Sequence, residues 1–404
     1  MLLKIPVDDV RPGMFIQKLE GSWFAHPFWR GSFLLEAASD LVKIRNSGVA
    51  EVWIDTDKGL GLAAAAEGRV SITGLVREET STLPLSERTP PTRVRLAEEI
   101  GQARRLYERS KPLVRAMFGE ARLGRAIDTE SAKTLVQDIS DSLARNSWAL
   151  VSVARIKTAD EYTYMHSVAV CALMVVLARQ LGLPEDETRQ AGLAGLLHDI
   201  GKAGMPMTIL NKPDKLTEPE FAVIKTHPRE GWEMLRKVGD VGEIALDVCL
   251  HHHEKLDGTG YPDRLAGEAI SLHARMGAVC DIYDAVTSNR PYKKGWDPAE
   301  SLRNMSKWTK SHLDERAFAA FVKSLGIYPI GSLVRLESGL LGVVVEQAEG
   351  SLLTPRVRAF YSAKSLAYVK PRLVDLACAS THDRIVGLEN AADWCIADVG
   401  EYWQ

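Results

Sequence analysis

The run Leu196-Leu197-His198-Asp199-Ile200-Gly201-Lys202 constrains this chain more than any other. A neighbouring imidazole and carboxylate emerge from an apolar helix, and such a pair is buried without large cost only against a cation. A second run, His251-His252-His253-Glu254-Lys255-Leu256-Asp257-Gly258-Thr259-Gly260-Tyr261-Pro262, adds further donors and then a glycine-rich turn. The spacing of these groups between His166 and Lys293 suits a two-metal phosphohydrolase acting on phosphodiesters.

A chain of 404 residues exceeds what one hydrophobic core usually organises, so two or three domains are expected. A net charge of -3 gives no global attraction to nucleic acid or acidic membranes. Cys171, Cys249, Cys280, Cys378 and Cys395 include no CxxC pair and suit reduced thiols in a cytosol. The opening residues show no secretory signal, and the apolar run Val168 to Ala178 is well short of the ~20 residues that span a bilayer. A cytoplasmic protein that neither binds nucleic acid nor inserts into a membrane is the expectation.

The expected fold is multidomain: an all-α helical bundle as catalytic core, a small α+β domain before it and a small β-rich appendage after it. Residues 1–60 read as the α+β domain, with strands at Lys4 to Val7 and Val49 to Ile54 and a helix from Phe33 to Asn46. Residues 61–92, rich in Ala, Ser, Thr and Pro, read as a flexible linker, and 93–127 as a connecting helix. A further helix starts near Asp128, where Ala132, Leu135, Val136, Ile139 and Leu143 form one apolar stripe that fits either packing within the chain or a homodimer seam. Helical periodicity continues at Glu161 to Leu181, Pro184 to Leu197, Glu218 to Val238, Val241 to Glu254 and Leu272 to Val286. Residues 128–325 therefore form the bundle, and 326–404, with β-prone runs at Leu333 to Leu336, Gly342 to Glu346 and Val357 to Tyr361, the appendage.

Imidazole and carboxylate donors together suit divalent metals, and there are enough here for two ions. Asp199 is the natural bridge, because its two oxygens can be divided between two cations. Protonated Lys202, on the face of His198 if the helix persists, is suited to a phosphate oxygen. His252 replaces an apolar residue on the stripe of Ile244 and Val248, with His253 beside it, while Gly258 and Gly260 permit a turn carrying Tyr261 over the metals. Arg290 and Lys293 supply two further cations behind Asp281. His26, His251, His273, His312 and His382 have no evident partner and read as structural.

HD-x-GK followed by HHE-xx-DG-x-GYP resembles the HD-GYP family, a branch of the HD-domain metal-dependent phosphohydrolases, over roughly residues 128 to 325. The resemblance implies hydrolysis of the bacterial second messenger cyclic di-GMP by a two-metal-activated hydroxide, giving 5′-pGpG and, where hydrolysis proceeds further, GMP. It places His166, His198, Asp199, His227, His252, His253 and Asp281 on the metal-ligand positions. Asp199 and Lys202 then carry the catalysis, while Lys202, Gly260, Tyr261, Arg290 and Lys293 meet the substrate. Iron or manganese is the implied metal; ligand chemistry alone also admits zinc, nickel or cobalt. Some members bind a third metal through a glutamate four residues before the first histidine, where this chain has Tyr162, so two ions are expected. Some binuclear members stop at the linear dinucleotide. The other readings are a catalytically silent cyclic-dinucleotide sensor or scaffold that binds a diguanylate cyclase partner, and an HD hydrolase for other nucleotides. The filled ligand positions argue against the silent scaffold, and the Gly-Tyr-Pro turn against the hydrolase for other nucleotides.

Overall fold

The computed structural model describes residues 2–19, 33–35, 51–60, 92–154, 162–212, 214–288, 295–309, 311–348, 351–396 and 399–402. The chain forms two units, Met1–Arg88 and Thr89–Gln404. In the first, strands β1 (Leu2–Pro6), β2 (Phe15–Leu19), β3 (Phe33–Leu34) and β4 (Glu51–Asp55) make an antiparallel sheet in the order β1-β4-β2-β3. Alternation turns Ile5, Ile16, Val52 and Ile54 into one core with Val10, Met14 and Leu35. Phe33 and Leu34, read from sequence as the start of a helix, pair instead with Ile16 and Phe15. Residues 36–46 of that expected helix lie outside the described residues, as do Trp23 to Trp29 and all of the linker but Thr92.

The second unit begins with α1 (Leu96–Arg122), α2 (Thr129–Arg145) and α3 (Ala149–Ala154). Asp128 caps α2 by accepting from the Ser131 amide at 3.0 Å. The stripe Ala132, Leu135, Val136, Ile139 and Leu143 is buried. Helix α2 packs against α1 and two later helices of the same unit, α4 (Tyr162–Gln180) and α5 (Glu185–Leu197), so this stripe is not a homodimer seam. Helix α1, expected as a connector, is a member of the bundle. Its Glu99 is completely buried and takes two 2.8 Å hydrogen bonds from Arg145 and one from Ser142 Oγ.

Helix α4 is the axis of the bundle. It is apolar on every side, and every residue from Met165 to Ala178 is buried against α1, α2, α3, α5 and the later helices. After α5 a 3-10 turn, Ile200–Gly204, leads to α6 (Met207–Leu210) and α7 (Glu218–Ile224), neither of which has a buried residue. Then follow α8 (His227–Val238), α9 (Glu243–His251), α10 (Leu272–Thr287), α11 (Pro298–Met305) and α12 (Glu315–Leu325). The single helix expected over 218–238 is broken at Lys225 and Thr226, because Pro228 has no N–H to give the Ile224 carbonyl.

Strands β5 (Leu333–Leu336), β6 (Leu340–Ala348), β7 (Ser351–Ser362), β8 (Ala367–Asp375) and β9 (Ile385–Leu388) close the chain as an antiparallel sheet in the order β8-β7-β6-β5-β9. Both faces carry apolar clusters, one around Val343 and Phe360, the other around Val344 and Val357. Among the described residues no helix is long and apolar enough to cross a membrane. Ile139→Ala is expected to lower stability by about 2–5 kcal/mol in denaturant unfolding, with no change in the mass measured by light scattering; a change of mass at unaltered stability would reinstate the seam.

Candidate metal centre

Backbone carbonyls at three helix ends face the site, and histidine side chains donate to them. His198 Nδ1 donates to Gly195 O at 2.8 Å beyond the end of α5. His227 Nδ1 donates to Ile224 O at 2.7 Å, the carbonyl that Pro228 leaves free. His252, just past α9, gives its Nδ1–H to Val248 O and Cys249 O at 3.0 and 3.1 Å. With Nδ1 protonated and bonded outward, each ring turns an unprotonated Nε2 inward.

Those lone pairs meet Asp199. Its Oδ1 faces His227 Nε2 at 3.2 Å and His252 Nε2 at 3.8 Å, while Oδ2 faces His198 Nε2 at 3.4 Å and His166 Nε2 at 3.6 Å. His227 Nε2 and His252 Nε2 stand only 3.4 Å apart. The donor atoms fall into two groups able to hold an ion, Asp199 with His227, His252 and His253, and His166 with His198 and Asp199. Asp281 joins the second group, its Oδ1 2.9 Å from His166 Nε2 and 3.8 Å from His198 Nε2, and its Oδ2 reaches toward His253 Nδ1 at 3.9 Å.

The charge state suits cations. Burial presses against ionised Asp199, yet the Lys202 ammonium beside it holds its carboxyl well below the usual range. Burial, then neighbouring imidazoles, drives His252 far down, and burial brings His253 to about 3, so both rings are neutral ligands. Against its burial, Asp281 is likewise held well below the usual range, chiefly by His166. His198 Nε2 and Asp199 Oδ1, both buried, find no hydrogen-bond partner among the described residues. Acceptors facing acceptors in a dry interior are satisfied by divalent ions, so the residues fit the metals.

The helix does not persist from His198 to Lys202. The lysine reaches the site from the 3-10 turn, its Nζ 2.5 Å from Asp199 Oδ2. Gly201 makes this possible: a Cβ there would lie 2.0 Å from His227 O. Gly260 passes over Glu254, where a Cβ would sit 2.5 Å from the Glu254 Cα, and sets the Tyr261 ring 4.8 Å from that of His253. Burial pushes the Tyr261 phenol up, so it is a neutral hydrogen-bond donor. Arg290 and Lys293 lie outside the described residues.

Sequence reasoning missed several supporting groups. Asp284 Oδ2 accepts from His166 Nδ1 at 2.6 Å and turns that ring's Nε2 to the centre; the signal was its place one turn after Asp281. His251, read as having no partner, bonds Asp247 at 2.8 Å and Asp263 at 3.3 Å. Glu254 Oε1 accepts the Asp263 amide at 2.7 Å and Arg229 pairs with the Asp263 side chain, so this group fixes the Tyr261 loop. His273 and His312 also have partners, Glu187 and Asp257.

Residues 140–317 match the HD domain family, and residues 2–132 match a domain of unknown function, DUF3391. Over all 404 residues the chain is 55% identical to the cyclic di-GMP phosphodiesterase PA4108 of Pseudomonas aeruginosa, spanning 96% of that protein. It belongs to the HD-GYP family of metal-dependent phosphohydrolases. Shorter matches join this HD-GYP chain to other relatives. The cyclic di-GMP phosphodiesterase response regulator RpfG of Xanthomonas campestris is 50% identical over 152 residues, 37% of this chain and 39% of that protein. The 3′3′-cGAMP-specific phosphodiesterase 3 of Vibrio cholerae is 37% identical over 168 residues, 42% of this chain and 36% of that protein.

Two outcomes are expected at the HD-GYP site. Asp284→Asn lowers metal affinity about 10–100-fold in competition with a chelating dye, and unchanged affinity would show that His166 needs no such partner. Gly201→Ala displaces His227 and releases metal, measured by mass spectrometry of the washed protein; full occupancy would contradict the close approach.

Proposed function

We propose that this chain hydrolyses cyclic di-GMP to 5′-pGpG at a centre of two divalent cations, iron or manganese, held by His166, His198, Asp199, His227, His252, His253 and Asp281 with Asp199 shared. The observation that carries the chemistry is the division of the two Asp199 oxygens between two sets of inward-facing histidines. The substrate is carried by the full-length likeness to a cyclic di-GMP phosphodiesterase.

Cations bound there supply Lewis acidity, which turns water into a nucleophile near neutral pH and offsets charge on phosphoryl oxygens. The chain's residues do the rest. Lys202, tied to Asp199 and about a quarter exposed, spends one hydrogen on that carboxylate and keeps two for a non-bridging phosphoryl oxygen. Tyr261 offers its phenolic hydrogen from over His253, on a loop braced by His251, Glu254 and Arg229. Arg290 and Lys293 are assigned the remaining phosphate contacts on the sequence motif. Asp284 holds His166 in its working tautomer. The water oxygen bonds to phosphorus in line with the P–O3′ bond, that bond breaks, and a 5′-phosphomonoester and a free 3′ hydroxyl result. GMP is the product of a second cut of the same kind.

The test is chromatographic turnover of cyclic di-GMP by anaerobically purified protein loaded with iron or manganese, with metal content measured. The wild type is expected to bind about two ions and form 5′-pGpG. Asp199→Ala is expected to lose turnover and metal together, and Lys202→Met to lower kcat about 100-fold. Near-normal turnover by folded Asp199→Ala would sink the shared-carboxylate centre, and clean loading and dinucleotide binding without product would favour the silent sensor.

A further inference from the structure

The segment from Met205 to Thr226 joins the Lys202 turn to His227, yet Met205 is its only buried side chain among the described residues. Such a segment contributes little to the core. It exposes apolar groups instead: Met207 and Phe221 are 44% exposed and Val223 37%. A capping box at Thr217 and Glu220, and a Lys212–Glu220 ion pair, hold α7 in shape without a core beneath it.

From this segment a row of side chains runs back to the metal centre. The His253 and Tyr261 rings lie 4.8 Å apart at 30°. Lys225 Nζ lies 5.7 Å from the Tyr261 ring centroid and 4.6 Å from that of Phe221. A lysine over a single surface ring is ordinary. Here one lysine serves two rings, one of them beside the centre and the other half open to solvent. Lys225 is exposed, and no carboxylate among the described residues forms an ion pair with it. A flat apolar face and an unneutralised donor together suit a flat anionic ligand whose ring edge bears acceptors.

We propose that Phe221 and Lys225 form the seat for one guanine of the substrate, Phe221 stacking on the base and Lys225 donating to its O6 and N7. This rests on the dinucleotide reading above. Stacking on an aromatic ring is worth a substantial part of nucleotide affinity but tolerates every base. Selectivity comes from the lysine: guanine presents two acceptors along that edge, whereas adenine presents an acceptor and an amine. A Lys225 donor favours guanine and opposes adenine, so it separates cyclic di-GMP from cyclic di-AMP, whereas 3′3′-cGAMP can still seat its one guanine. None of this requires the ligands of the metals to differ.

The experiment measures steady-state kinetics of the manganese-loaded full chain on cyclic di-GMP, cyclic di-AMP and the base-free ester bis(p-nitrophenyl) phosphate, with calorimetric titration of GMP. Phe221→Ala is expected to raise KM for cyclic di-GMP about 10-fold beyond any change on the base-free ester and to weaken GMP binding, with Phe221→Trp restoring both. Lys225→Met is expected to lower the preference for cyclic di-GMP over cyclic di-AMP about 10-fold. Equal effects on all three esters, or none, with GMP affinity unchanged, would overturn the seat while leaving the substrate reading standing. A wild type that cleaves only the base-free ester would overturn the substrate reading; the seat would then survive only if Phe221→Ala still weakened GMP.

Discussion

Everything in the helical unit answers to one electrostatic problem: several acceptors without protons point at each other in a dry interior. His198, His227 and His252 each spend the Nδ1 hydrogen on a carbonyl at a helix end, and their Nε2 lone pairs face Asp199. Without a positive charge among them this arrangement is repulsive and unsolvated. The bundle tolerates it because the surrounding helices are tightly fixed: α4, buried on all sides, carries His166, while α5, α8 and α9 bring their ends to the same point. Helix ends are normally where backbone groups look for partners. Here that need chooses the imidazole tautomers.

What the sequence made legible follows from periodicity and motif. Val168 to Ala178 has no polar face, so a fully buried helix is the only comfortable state, and α4 is that. Leu333 to Leu336 is a strand with the bounds its β-prone run suggests. The seven candidate ligands and Lys202 come together because two contiguous motifs contain most of them. The missed features are those that depend on tertiary partners. Asp284 looks like another helical carboxylate until His166 is seen against it. The break before His227 was visible as Pro228, but periodicity on both sides concealed it. Phe33 and Leu34 follow β2 rather than their own helical pattern, a case of pairing overriding local preference.

The histidines set aside as structural show how a site is supported from outside. His251 reads like its neighbours in an unbroken run, yet it faces away from the centre, toward Asp247 and Asp263. With Glu254 and Arg229 it steadies the loop whose tip carries Tyr261. Three adjacent histidines thus divide their work by helical angle: two look inward at Asp199 and Asp281, and one looks back to hold the turn.

Homology and packing divide this chain at different places. The family match that begins at residue 2 runs to residue 132, through the whole of α1 and into α2, whereas the second compact unit starts at Thr89. Cutting at the homology border would therefore amputate a helix from the bundle and leave the Arg145 guanidinium without the buried Glu99 that receives it. The compact unit that holds the metal centre includes α1, and the module matched upstream of the hydrolase is, in its last third, part of the hydrolase's own wall.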